Sequence, residues 1–455
     1  MSTVSEIFAD WLAGLDRAAI PQTAAAGVTD TIIDTVALAF AARETDYIAA
    51  LRNGWQGAPG TATVFGHRDT CDPVTAAMIN GTAAHGEDFD NSYEGCPVHS
   101  GTVVVPAVLA VAEARGLSGA QAFTGIAAGI EIMCRMGAVA GTGLHKAGFH
   151  PTAVVGTMGA TAAVGVALGL DRAALARSFG LAGSMSAGII EYLADGSWTK
   201  RMHAGWAAQA GIRAAEMGAA GFAGPLSVFE GTHGFYAAFA PSIKPDLELL
   251  AGDLGSRWET AQLSFKPYAC GTMCQPFVDC AIDLAKRGIK ADDITAMSCK
   301  VGEGTVHRLW EPLALKRRPP TAYGAKFSGP YCIAVGLIDG DAGLAQFTDA
   351  RINDPAVQAL TDKISFEIDP ENEYPRNYTG HIAATLRDGS VIEAFQPHLR
   401  GGTHEPMTRD QITAKARANL AYGGMAPDRA DTVIDLCAGL SDLPDLAGLG
   451  DLRGA

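Results

Sequence analysis

From residue 4 to about residue 260 the chain reads as helix. Ala and Leu are plentiful, Pro is sparse, and Gly tends to fall where a helix would end. Two stretches share one pattern, AVAEARGLSGAQAF (110–123) and VGVALGLDRAALARSF (164–179). In each, a helix closes at a glycine, Gly116 or Gly169, and Ser118 or Asp171 caps the next. Such helical hairpins stack as an all-α bundle, and they are too few and too divergent to form a solenoid. The apolar run VVGTMGATAAVGVALGL (154–170) is short for a membrane span and has neither an aromatic belt nor a basic flank. It predicts a buried, closely packed helix. The opening MSTVSEIFADWLAGLD lacks the basic and apolar regions of a secretory signal and reads as a capped amphipathic helix, so the expected setting is cytoplasmic with no membrane partner.

Near residue 290 the pattern changes. ITAMSCKVGEG (294–304), KISFEID (363–369) and HIAATLRDGSVIEAF (381–395) alternate or carry β-branched residues, and Asp388-Gly389 sits between two strand-like runs as a hairpin signal. After His404 the helical pattern returns in DQITAKARANLAYGG and RADTVIDLCAGL. The expected fold class is mainly α with a smaller α+β domain. Residues 1–264 and 403–455 would form the all-α helical domain and 265–402 the α+β domain, with a small-molecule site in the cleft between them.

A chain of 455 residues with 48% hydrophobic and 18% charged residues can bury a large core. Thirty-four Lys+Arg against 49 Asp+Glu give a net charge of −15. No global basic footprint for nucleic acid exists, and an anionic ligand needs a local basic pocket. Nine cysteines, an odd number, argue against a disulfide framework. The C-x3-C-x5-C run of Cys270, Cys274 and Cys280 has no second pair to complete a zinc site, so buried or site-lining thiols are expected.

Five segments gather the residues that could carry chemistry. AHGEDFDNSYEGCPVHSG (84–101) crowds His85, Glu87, Asp88, Asp90, Tyr93 and His99 where a helix gives way to a loop after about Asp90. These groups can cap helices, bind a metal, or act as acid and base, with Asp88 and His99 as a candidate carboxylate–imidazole pair. In HKAGFHPTAVVG (145–156), His150 precedes Pro151 at a helix N-terminus, which favours an anion beside it. DGSWTKRMHAGWAAQAG (195–211) puts Lys200, Arg201 and His203 within four positions, with Lys200 and His203 on one helix face. It suits a carboxylate-binding corner, with a solvated basic face as the plainer reading. SFKPYACGTMCQPF (264–277) offers Lys266 before a proline, and AYGAKFSGPYCIAVGLIDG (322–340) adds Lys326, Ser328 and Tyr331. There is no GxxxxGK[ST], strand-led GxGxxG, HExxH or GxSxG, which sets aside phosphoryl transfer, dinucleotide chemistry and serine hydrolysis.

In order and spacing, HGEDFDNSY…VHSG, GFHPTAVVG, WTKRMHAGWAA, FKPYACGTMCQP and AKFSGPYCIAVGLIDG resemble the MmgE/PrpD family over nearly the whole chain. That family includes 2-methylcitrate dehydratase, cis-aconitate decarboxylase and iminodisuccinate epimerase. The resemblance implies a large all-α domain built from both chain ends, a smaller α+β lid, a homodimer, and chemistry without an obligatory metal or organic cofactor. By motif position it implies a site of Asp88, His99, His150, Lys200, Lys266 and Tyr331, with His203 and Lys326 behind them. Two positions depart from the family's habit: His99-Ser100 replaces His-Pro, and Gln275 stands where a His often follows the junction lysine. Gln cannot transfer a proton at neutral pH.

The family's reactions all act at carbon next to a carboxylate and build negative charge there, which cationic side chains stabilise. Lys200 and Lys266 suit that role, with Arg201 as a third. His99 oriented by Asp88 is the expected base, and His150 or Tyr331 the acid. The expected function is a lyase on a small di- or tricarboxylate, of the 2-methylcitrate dehydratase type. Its alternatives are a cis-aconitate decarboxylase-like carboxy-lyase, an epimerase of an amino-dicarboxylate such as iminodisuccinate, a non-enzymatic carboxylate binder, and a metal-dependent hydrolase.

Overall fold

The computed structural model describes residues 2–454, which are mostly helical with one four-stranded mixed sheet. The chain parts into two compact units. The first takes the residues up to Gly86, Asp90–Ser264 and everything from Thr408; the second takes Glu87–Phe89 and Phe265–Met407. Residues 87–89 and 403–407, which the sequence assigns to the helical domain, fall in the second unit.

In the first unit the helices form where the caps permit. Thr3 and Glu6 close a capping box on Val4–Ala13. Gly101–Arg115 ends at Gly116 in the left-handed region, and Ser118 with Gln121 caps Gly119–Ala140. Asp171 caps Arg172–Met185 by accepting from the Ala174 N–H. All but the last three residues of segment 154–170 fall in helix Pro151–Ala167, which is buried at all but one of its positions. It packs on Gly119–Ala140 and on Thr199–Ala219, as its small residues allow. Gln22–Ala41 and Gly119–Ala140 are long and apolar enough to cross a membrane, yet 78% and 89% of their apolar windows are buried in protein, as in core helices. The helices Arg409–Tyr422 and Pro427–Ala438 pack back on Gln22–Ala41, where Lys415 Nζ stands 2.7 Å from Asp34 Oδ1 in a buried pair.

One contact matters for the site. Helix Thr199–Ala219 crosses Pro73–Gly86 at Gly205, where a Cβ would meet the Met78 carbonyl oxygen at 2.0 Å. Only glycine lets these two backbones approach so closely.

In the second unit, Ile294–Val301 pairs in parallel with Ile364–Ile368 and antiparallel with Gly380–Leu386, which pairs antiparallel with Val391–Gln396. Asp388-Gly389 makes the hairpin turn that its sequence signals. The amphipathic helix Gln275–Lys286 packs on Gly380–Leu386 and Val391–Gln396. Eight of the nine cysteines are buried and all nine are free thiols.

Candidate active site

In the first unit four imidazoles stand in a row. His85 lies in the last turn of Pro73–Gly86 and His99 just before Gly101–Arg115. His150 immediately precedes helix Pro151–Ala167, and His203 sits near the start of Thr199–Ala219. Ring centroids are 5.0 Å apart for His99 and His85, 5.5 Å for His85 and His150, and 5.3 Å for His150 and His203. All four are buried.

The row is anchored at one end by a carboxylate. Asp90 Oδ2 lies 2.8 Å from His85 Nδ1 and 3.1 Å from His99 Nδ1. His99 Nδ1 is also 2.9 Å from the Asn91 carbonyl oxygen. His85 Nδ1 faces one acceptor and His99 Nδ1 faces two, so both nitrogens carry a proton and each Nε2 is left to take or hold another. Burial alone would raise the Asp90 carboxyl, but the charges and hydrogen bonds of His99 and His85 outweigh it and hold it well below the usual range.

At the other end, His150 Nδ1 and His203 Nδ1 are 3.1 Å apart. Burial pushes both rings toward the neutral form, His150 well below its ordinary value and His203 to about 4, and the nearby Lys200 charge adds to the effect. His85 is lowered by burial as well, against the pull of Asp90. The His150 backbone N–H donates to the Gly188 carbonyl at 2.9 Å. Gly188 has φ 133°, and a Cβ there would meet Ala153 at 2.4 Å. Glycine is therefore required where this segment passes the helix end. A cleft of about 490 Å³ is lined by Gly188, Ile189, Tyr192, Met202, His203 and Trp206 among others, and His203 is the only member of the imidazole row on its wall.

The second unit holds the remaining expected residues. Lys266 Nζ donates to the Asp88 carbonyl at 2.7 Å and to Asp88 Oδ1 at 3.0 Å. Lys326 Nζ makes the same pair of bonds to Glu87, at 2.7 and 3.0 Å. Both lysines are buried. Tyr331 donates its hydroxyl to the Gln346 carbonyl at 2.5 Å, and burial pushes its pKa up. A phenol so committed lends no support to the acid role expected of it. Gln275 donates to the Cys270 carbonyl at 3.3 Å.

The carboxylate on His99 is thus Asp90, not the expected Asp88. Helix Pro73–Gly86 stops at Gly86, earlier than the sequence suggests, and Asp88 adopts φ 55°. That left-handed residue turns the chain, so Asp88 meets Lys266 while Asp90 meets the two imidazoles. Arg201, expected to bind substrate, stacks its guanidinium 4.4 Å over the Tyr47 ring. Sequence reasoning named His85 and Asp90 as part of the crowded motif but did not choose them. It overlooked Tyr192, whose ring is 5.9 Å from those of both His150 and His203. The His-x4-Asp spacing across a helix end was the available signal.

Among the described residues, His85, Asp90 and His99 form a set whose ligand atoms lie within 4.8 Å of one another and could hold a cation. Both Nδ1 atoms, however, stand at hydrogen-bond distance from one Asp90 oxygen. A cation at those atoms would have to displace both protons, so the geometry is that of a hydrogen-bonded trio.

Residues 6–248 match the MmgE/PrpD N-terminal domain and residues 268–440 the MmgE/PrpD C-terminal domain. Over 476 aligned positions the chain is 27% identical to cis-aconitate decarboxylase of Homo sapiens, covering 99% of this chain and 95% of that protein. It is 28% identical to cis-aconitate decarboxylase of Aspergillus terreus, over 87% of this chain and 84% of that one. The Mus musculus cis-aconitate decarboxylase is 26% identical, over 86% and 80%.

Proposed function

The chain belongs to the MmgE/PrpD family, and we propose that it is a carboxy-lyase acting on cis-aconitate or a closely similar unsaturated tricarboxylate. The observation that carries this reading is the buried imidazole row, anchored on Asp90 and lying within the field of Lys200. Relatives named as cis-aconitate decarboxylases support this alternative over the expected dehydratase.

Decarboxylation breaks a C–CO₂⁻ bond, releases CO₂, and leaves its electron pair on carbon, which then takes a proton. One proton is consumed per turnover. The reaction therefore needs a cation to hold the remaining carboxylates and the developing charge, and a positioned acid to deliver the proton. Lys200 suits the first task. His99 and His150 suit the second, because each presents an imidazole whose Nδ1 is already engaged. By motif position Lys266 carries a further cationic role, and Lys266→Ala should lower kcat about 100-fold or more while the fold persists. Near-normal turnover in that variant would remove Lys266 from the mechanism.

The deciding experiment is proton NMR of the purified protein with cis-aconitate, 2-methylcitrate, citrate and iminodisuccinate in heavy water. CO₂ release from cis-aconitate with one deuterium on the product carbon is the expected result. A new conjugated double bond from 2-methylcitrate would restore the dehydratase reading. Deuterium at an α-carbon of iminodisuccinate without a new product would make the protein an epimerase.

A further inference from the structure

We infer that His203 is a positioning residue that supplies a proton to His150 from the cleft on whose wall it stands, so that a neutral His150 can act as an acid. This rests on the carboxy-lyase reading, in which each turnover consumes a proton that must ultimately come from solvent.

The argument starts from the 3.1 Å separation of His150 Nδ1 and His203 Nδ1. Two nitrogens at that distance share one hydrogen, since two N–H groups would repel and two lone pairs would not bind. Both rings are buried, and burial holds them neutral. A neutral imidazole that gives up its only N–H becomes an imidazolate, an anion too costly for a buried site. His150 escapes this only if its Nδ1 gains a proton as its Nε2 loses one. His203 is hydrogen-bonded to that Nδ1 and is also the member of the row that lines the open cleft.

The step balances. At rest His203 carries its hydrogen on Nδ1 and His150 on Nε2. As the Nε2–H bond of His150 breaks and a C–H bond forms on the substrate, the Nδ1 hydrogen of His203 passes to Nδ1 of His150. Nε2 of His203 takes a proton from water in the cleft, and both rings end neutral. After product leaves, a solvent proton returns to His150 Nε2, the shared hydrogen steps back to His203, and Nε2 of His203 releases its proton. The net uptake is one proton per turnover, as decarboxylation requires. Asp90 serves the other end of the row, where it pairs with His85 and His99, whereas the partner of His150 Nδ1 is His203.

The test uses the full chain with cis-aconitate. His203→Ala should leave KM within about threefold and lower kcat by about 10- to 100-fold, within the range a proton-transfer group supplies. Added imidazole should restore kcat in that variant, saturating with concentration, while leaving the wild type unaffected. His203→Gln keeps a hydrogen-bonding side chain on His150, guards against misfolding of the alanine variant, and should lose kcat without imidazole rescue. Unchanged kcat in both variants, or losses in kcat and KM together that imidazole does not relieve, would overturn the relay. A second readout needs no turnover. In ¹⁵N NMR of the substrate-free wild type, one Nδ1 of the pair should be protonated and the other not, with scalar coupling across the N–H···N bond. Two unprotonated or two protonated Nδ1 atoms would refute the shared hydrogen even if activity were high. Absence of turnover on any carboxylate would count against the carboxy-lyase reading alone, and the spectrum would still decide the pair.

Discussion

At the scale of single residues, the site turns on which of two aspartates, two positions apart, faces the histidines. Asp90 accepts from His85 and His99 through one oxygen, and its charge is held in place by those same bonds. Asn in its place would keep the shape but lose the charge, and its amide would offer a donor where one imidazole already presents N–H. Asp90→Asn should therefore lower kcat on cis-aconitate about 100-fold or more, with KM little changed, because the tautomers of both rings are released. Steady-state kinetics check this, and wild-type kcat in the variant would show that neither ring needs the carboxylate. Asp88→Asn disturbs a different bond, the one to Lys266. The two substitutions are thus expected to differ, although DFDN presents both residues alike to anyone reading the sequence.

Among the elements, the decisive contact is the crossing of helices Pro73–Gly86 and Thr199–Ala219, which carry His85 and His203. At Gly205 the approach is backbone to backbone, so a methyl group has no flexible neighbour to push aside. Gly205→Ala should destabilise the protein by about 1–3 kcal/mol through overpacking and lower kcat by shifting His203 away from the row. Gly116→Ala is the contrasting case. Gly116 has φ 64° at a helix end and open space around it. It should cost about 1 kcal/mol of stability from the left-handed backbone alone and leave kcat unchanged. Thermal melts and turnover measured on both variants test the pair. Equal effects on kcat would mean that the crossing does not position the histidines.

For the molecule as a whole, the buried rings tie stability to pH. His85, His150 and His203 have lowered pKa values when folded, and His203 falls to about 4. Below their ordinary value of about 6.5 the unfolded chain binds protons that the folded chain refuses, so stability must fall as pH falls. The contribution is intact above about pH 6.5 and is lost progressively toward pH 4. Asp90, also lowered, adds a further loss below its ordinary carboxylate range. The melting temperature should therefore drop by several degrees between pH 7 and pH 5, and His203→Gln should flatten part of that slope. A level melting temperature across this interval would mean that the rings are protonated in the folded state.

The helices, their caps and the hairpin of the second unit were legible in the sequence because each rests on local chemistry. Ser118, Asp171 and Asp388-Gly389 act on backbone groups within a few positions of themselves. The family could be read from five ordered motifs, and with it His99, His150, Lys200 and Lys266 as residues to watch. What the motifs could not supply was pairing. That depends on where helix Pro73–Gly86 stops, on the left-handed turn at Asp88, and on a glycine crossing between helices more than a hundred residues apart in sequence. These long-range features choose Asp90 over Asp88, bring His85 into the row, and set His203 against His150. Composition and spacing determine which side chains a chain can offer, whereas tertiary packing decides which of them share a proton.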